Sequence, residues 1–180
     1  MGQAFSKACG FQRQSLWSGF LRVKPLNTHT EGEIKLKLKI KKLHENAIIP
    51  TRATNGSAGM DLYACLSEAV TLATGERKII PTGISIELPD NGFGAFIFAR
   101  SGLGIKHGIS LSNGVGVIDS DYRGEICVGL INQSNRSYTV NPNDRIAQMV
   151  IMPVCIPQID ITNDLSETQR SSGGFGSTGK

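Results

Sequence analysis

The chain has no C-x-x-C pair: its four cysteines, Cys9, Cys65, Cys127 and Cys155, are scattered along 180 residues. That spacing argues against the usual structural zinc and dithiol redox motifs and predicts reduced, mostly buried thiols. No apolar run approaches the roughly 20 residues needed to span a bilayer. The LWSGFL patch at residues 16–21 is short and interrupted, so the expected body is soluble and the expected location cytoplasmic. There is no internal repeat and no long amphipathic helical pattern, which disfavours solenoids and bundles. The body also lacks a charge excess. Of the 19 Lys and Arg, only Lys7, Arg13, Arg22 and Lys24 lie in residues 1–30, where no acid stands; the remaining 15 face 15 Asp and Glu. A nucleic-acid-binding body is therefore not expected, and affinity for an anion must come from a few placed cations.

What the chain does have is turns and short β-branched runs. Its 21 glycines favour strands separated by turns over helices. From Ile34, IKLKLKIK alternates apolar and lysine positions, a period-two strand with its lysines in water. GISIEL at residues 83–88 alternates again, and Pro89, Asp90, Asn91 and Gly92 make a turn before GAFIFA, which predicts a hairpin. Residues 125–131 and 145–154 are further apolar strands, divided by a stretch rich in Asn, Ser and Pro. Short strands between turn clusters predict an all-β sandwich, barrel or jelly roll.

Residues 1–30 form a basic extension for which three readings stay open. Gly2 with Ser6 matches an acylation pattern, which would let the extension touch a membrane; Arg13, Arg22 and Lys24 around Leu16, Trp17, Phe20 and Leu21 match a mitochondrial transit peptide; and the composition also fits a plain disordered extension. The domain proper is expected at residues 31–169, followed by a glycine-rich arm at 170–180.

Two segments carry chemistry. GVGVIDSDYRG, residues 114–124, sets Asp119, Asp121 and Tyr122 in what reads as a glycine-bounded hairpin. Its glycines let backbone approach a ligand, a carboxylate at Asp119 can hold a water, and Tyr122 offers a flat face. The same residues in an ordinary turn would bond their own backbone. The tail RSSGGFGSTGK brings a cation, a ring and hydroxyls on chain too glycine-rich to pack in a core. Gly174 to Lys180 spells G-x-x-x-x-G-K, but no helix follows to receive phosphate, so a P-loop is rejected. A Ser101–His107–Asp119 triad is also rejected, because Ser101 lacks a G-x-S-x-G elbow and His107 is expected in a structural turn.

With SAGMDLYA at 57–64, ARSGLGIKHG at 99–108 and NDRIAQMV at 143–150, these segments form five motifs whose order and spacing resemble the trimeric deoxyuridine triphosphate nucleotidohydrolases, over residues 34–180. The resemblance implies a jelly-roll subunit of a homotrimer, with each site closed by a neighbour's arm. It implies hydrolysis of dUTP to dUMP and pyrophosphate with Mg²⁺, by water attack on the α-phosphorus. Asp119 would hold the water. Tyr122 would pack under the deoxyribose and exclude a 2′-hydroxyl, while Asn113, Gly116, Val117 and Ile118 would receive uracil. Arg100, Ser101 and Gly102 would cradle phosphates, Gln148 would contact the α-phosphate region, Arg170 would clamp the γ-phosphate, Phe175 would stack on uracil, and Gly176, Ser177 and Thr178 would close over the phosphates. Asp61 would support the metal's water shell or neighbouring arginines, with no direct protein ligand to the metal. Asp144 and Arg145 read as an internal ion pair or as arginine support rather than as catalysts. Three positions depart from the usual pattern: Ala99 for Pro, Asn143 for Gly and Ser171 for Gly. Asn tolerates positive φ, so Asn143 is expected to keep its turn, whereas Ser171 is expected to stiffen the arm. A deoxycytidine triphosphate deaminase and a nucleotide-sensing scaffold are the rival readings.

Overall fold

The computed structural model describes residues 36–174. The expectations for residues 1–30, and for Phe175, Gly176, Ser177 and Thr178, lie outside the described residues. Within them the chain runs β1 (Lys39–Lys42), β2 (Met60–Tyr63), β3 (Val70–Leu72), β4 (Arg77–Pro81), β5 (Ile84–Glu87), β6 (Phe93–Phe98), α1 (Ser101–His107), β7 (Ile109–Leu111), β8 (Gly116–Ile118), β9 (Cys127–Asn132), β10 (Tyr138–Val140) and β11 (Arg145–Pro153). The class is all-β with one short helix.

The strands form four antiparallel sheets, in the orders β1-β5, β10-β3, β2-β11-β6-β8 and β4-β9-β7. All four send side chains into one core, in which Leu62, Leu72, Ile80, Ile84, Leu130 and Met149 are among the most buried. The sheets do not close into a barrel. Their short lengths follow from the turn residues between them, and their alternation of buried and exposed positions is the two-residue period of a half-buried strand. In β9, for example, Val128, Leu130 and Asn132 are buried while Cys127 faces out.

Several elements differ from expectation. Among the described residues the IKLKLKIK run pairs with β5 only over Lys39–Lys41, and β1 continues through Lys42; Leu36 stays 52% exposed. GISIEL and GAFIFA do form β5 and β6, but not a hairpin. The turn holds, with the Gly92 N–H on Asp90 Oδ1 at 2.7 Å, yet it carries the chain between sheets, because both sides of β6 are taken by β11 and β8. The Asn- and Ser-rich stretch hides β10, paired with β3. Its turn is held by Asn132, a buried side chain that donates to Leu72 O and Arg136 O and accepts from Ser134.

The glycine-bounded segment is likewise not a hairpin folded on itself. β8 pairs with β6, whereas β7 pairs with β9 in another sheet. The thiols are not mostly buried: Cys65 is half-buried, but Cys127 and Cys155 are exposed, one on the outward face of β9 and the other beyond β11. Asn143 has φ +67, so an amide side chain does hold the left-handed position expected of it. Ser171 also lies there, at φ +44.

Candidate active site

The first group of side chains sits on β2, on β11 and between β6 and α1, at the end of the four-stranded sheet. Asp61 on β2 faces Gln148 on β11. Its carboxylate is fully engaged: Arg100 Nε donates to Oδ1 at 2.9 Å and Arg145 Nη1 to Oδ2 at 3.1 Å. Arg100 also donates to the carbonyl of Arg145 at 3.2 Å, so two guanidiniums and one carboxylate form a single unit. The Asp61 side chain is only 14% exposed. A shielded carboxylate that accepts one charge-assisted bond on each oxygen is costly to strip of its partners.

A β-bulge builds this unit. Asp61 opposes Gln148 and Leu62 opposes Ala147, but Tyr63 opposes Arg145, so Ile146 is the extra residue. With unbroken register Arg145 would point to the opposite face from Asp61; the bulge lets Ile146 and Ala147 bury while Arg145 turns to the carboxylate. The expected Asp144–Arg145 pair is therefore absent. Asp144 instead accepts from the backbone N–H of Asn141 at 2.8 Å, closing the turn before β11. Gln148 donates to Ala99 O at 3.0 Å, and a Cβ on Gly59 would meet its Oε1 at 2.7 Å. Gly59 thus gives the amide its place.

Arg100 is also the residue before α1, extended at φ −89° and ψ 131° and making no side-chain cap. Ser101 and Gly102 are exposed in the first turn, whose N–H groups have no intrahelical acceptors. Lys106 and His107 close the helix, the end where positive charge is favourable. His107 is thus a helical residue rather than part of a turn, and its ring lies against Tyr138 with centroids 5.1 Å apart. The described residues show no hydrogen bond among Ser101, His107 and Asp119.

The second group surrounds an open hollow of about 250 Å³ lined by Val117, Ile118, Asp119, Tyr122, Glu125 and Cys127. Asp119 leaves β8 exposed, and the described residues give its carboxylate no protein hydrogen bond or salt bridge. The Tyr122 N–H donates to Asp119 O at 3.2 Å, closing a tight turn. Tyr122 in turn donates its hydroxyl to Glu125 O at 3.0 Å, and its ring covers Gly124 so closely that a Cβ there would lie 2.5 Å from the ring's Cζ. Glu125 also accepts the Gly83 N–H at 2.7 Å, fixing the floor. Although Cys127 is exposed as a residue, partial desolvation of its thiol, with the nearby Glu125 carboxylate, pushes it above its ordinary value. Glu125 and Cys127 are lining residues that sequence reasoning missed; the short step from Tyr122 into a strand is the signal that could have found them. Asn113 lies in the exposed turn before β8, beside Gly116.

The two groups stand at opposite ends of β6. Ile118 pairs with Ala95 and Gln148 with Phe98, which places Asp119 beside Gly94 and Arg100 six residues further on. At ~3.3 Å per residue, about 20 Å of strand separates the free carboxylate from the arginine unit in one chain. Arg170 joins neither group: its Nε donates to Gly173 O at 2.8 Å. The chain leading to it is exposed at every residue from 155 to 172, including Ile156, Ile159, Ile161 and Leu165 at 71 to 93%.

Fold and site define a strand-built protein with a free carboxylate and a ring in one hollow and two arginines paired with a carboxylate elsewhere on the same sheet. A family model described as dUTPase matches residues 45–179. Deoxyuridine 5'-triphosphate nucleotidohydrolase of Desulfitobacterium hafniense is 52% identical over 148 residues, covering 82% of this chain and 98% of the relative. Among solved structures, Staphylococcus bacteriophage 80alpha dUTPase with dUpNHpp superposes with TM-score 0.72 at 26% identity, covering 80% of this chain and 99% of the other. A dUTPase mutant from phage phi11 of S. aureus, described for its coordination of a structural Mg(II) ion, superposes with TM-score 0.66 at 24% identity, covering 73% and 99%. The chain belongs to the dUTPase family.

Proposed function

We propose that the chain is a dUTP diphosphatase that converts dUTP and water to dUMP and pyrophosphate, in an active site shared between copies of the chain in a homotrimer. The separation of Asp119 from the Arg100 unit along β6 carries the shared site. A carboxylate must be within hydrogen-bond reach of the water it activates, and a substrate whose phosphates sit at Arg100 cannot present its α-phosphorus some 20 Å away. A second copy supplying the other half satisfies both demands. The exposed aliphatics of residues 155–172 favour a neighbouring surface for the arm.

In this reading deoxyuridine enters the hollow beside β8. Asn113 and the backbone of Gly116, Val117 and Ile118 meet the uracil edge, and Tyr122 lies beneath the sugar, where a 2′-hydroxyl has no room. A wrong base edge leaves buried polar groups unpaired, which costs far more than a lost contact. Asp119, free of protein partners, holds a water and takes its proton as the water oxygen bonds the α-phosphorus. The bond from that phosphorus to the bridging oxygen breaks, and pyrophosphate leaves. Arg100, Ser101, Gly102 and Gln148 hold the phosphate oxygens; Arg170, Phe175, Gly176 and Ser177 close the site and exclude bulk water.

For Mg²⁺, both oxygens of Asp61 are occupied by arginines, and no group of three or more His, Cys, Asp or Glu positioned for a metal occurs among the described residues. This donor set fits an ion carried by the substrate's phosphates, where Mg²⁺ keeps several waters and offsets phosphate charge. Asp61 then acts as arginine support.

Two experiments test the reading. Pyrophosphate and ammonia release from dUTP, UTP, dTTP and dCTP with Mg²⁺ should show pyrophosphate from dUTP alone; ammonia from dCTP would make the protein a deaminase, and inert dUTP would leave a binding scaffold. Mixing Asp119→Asn and Arg100→Gln chains, each inactive alone, should restore about a quarter of the wild-type activity if sites are shared in a symmetric oligomer. No recovery after subunit exchange would place each site in a single chain.

A further inference from the structure

Arg123 stands beside the proposed catalytic carboxylate but carries no assigned role. Its Nη1 donates to Ser120 O at 2.7 Å and to Tyr122 O at 3.0 Å. These carbonyls belong to the turn that begins at Asp119 and ends at Tyr122. Tyr122 is also held through its N–H, its hydroxyl and its fit over Gly124, contacts that position the ring only as well as the turn beneath it is positioned. The middle of the turn has no such restraint: Asp121 is exposed, no other hydrogen bond to the carbonyl of Ser120 occurs among the described residues, and β8 ends before Asp119. Arg123 is the one described side chain that ties the two halves of this turn together.

We propose that Arg123 is a positioning residue for the reaction: its guanidinium staples the Ser120 and Tyr122 carbonyls and so sets the aim of Asp119 and the height of the Tyr122 ring together. One planar group with two N–H donors on Nη1 suits two adjacent acceptors, an arrangement a lysine ammonium reproduces with less angular definition. The Arg123 charge is also felt weakly by Glu87, whose carboxyl is held below its usual range chiefly by a hydrogen bond and charge from Lys39. Lys39 Nζ meets Glu87 at 2.7 Å. Misplacement of a reacting group by ~1 Å costs about 100-fold in rate, which is why an exposed arginine here matters for turnover more than for folding.

The inference rests on the dUTP-hydrolysis reading, and its test separates the two. Arg123→Ala should lower kcat for dUTP by about 10- to 100-fold, leave affinity for the analogue dUpNHpp within a few-fold, and keep the thermal midpoint near that of the parent. Millimolar guanidinium should restore part of the lost kcat, and Arg123→Lys should fall between the two. Discrimination against UTP should narrow in Arg123→Ala, since the ring shifts with the carboxylate. Independently of activity, hydrogen exchange at the Tyr122 amide should speed up by about tenfold when the staple is removed. Wild-type kcat in Arg123→Ala, or an unchanged Tyr122 exchange rate, overturns the proposal. A fall in kcat matched by a lowered melting point, with no rescue by guanidinium or lysine, also overturns it by making Arg123 a folding residue. A wild-type protein inert toward dUTP whose Tyr122 exchange still responds to Arg123 refutes the function and leaves the staple standing.

Discussion

Asp61 and Asp119, the acidic residues of the two groups, are treated in opposite ways. Asp61 is shielded, spends both oxygens on arginines, and is fixed on a paired strand beside a bulge. Asp119 is exposed on a turn, and the backbone around it is fixed while the carboxylate itself stays free. An acid that has to hold cations is stabilised by using up its lone pairs; an acid that has to take a proton needs one left over. On the proposed reading, the fold separates electrostatic support from reactivity by assigning them to a strand and a turn.

Exchanging the chemistry at the two positions should therefore fail in different ways. Asp119→Asn should have the largest effect, abolishing pyrophosphate release by about 1,000-fold or more while dUpNHpp still binds, because the amide keeps the shape and loses the base; appreciable turnover in calorimetry-verified binders would end the contrast. Removing residues 170–180 comes next. Turnover should drop by about 100-fold with oligomeric mass unchanged by light scattering, and a fully active truncation would restrict the site to the strand-built body.

Asp61→Asn should act through both arginines. KM should rise by about tenfold or more, and stability in denaturant titration should fall by ~1–3 kcal/mol, because a neutral amide leaves two cations in contact; a KM change without destabilisation would mean that the unit is not structural. Gly124→Ala is expected to be milder. It pushes the Tyr122 ring aside and should narrow the dUTP-to-UTP ratio of kcat/KM by a few-fold, so an unchanged ratio would detach the ring from sugar selection.

The smallest effect concerns pH. Glu87 is depressed in the folded chain by Lys39, so its contribution to stability is present above the ordinary glutamate value and is lost as pH falls through the lowered one. Lys39→Ala should remove that acid-side component in melts followed below pH 5, and persistence of the component would assign it to another carboxylate.

Much of the site was readable because its residues work locally. Asp119, Tyr122 and the glycines between which they stand occupy a few consecutive positions, and the positive φ of Asn143 follows from its own side chain. Pairings between distant segments were less legible. β5 and β6 were each recognisable, but nothing local says that β6 has both edges taken by strands from elsewhere, and so the hairpin between them was wrongly expected. Likewise, Asp144 and Arg145 are neighbours with opposite charges, yet the bulge at Ile146 sends the arginine to a partner 84 positions away. β10 was hidden because its turn depends on the burial of Asn132, whose composition reads as loop.

The position of β6 between the two halves has a genetic consequence on the shared-site reading. A chain defective at Asp119 spoils one site with its own residue while lending a sound arginine unit to another, so two alleles broken at opposite ends of the strand complement each other. Two alleles broken at the same end do not. Crosses between such alleles would map the architecture without a single coordinate.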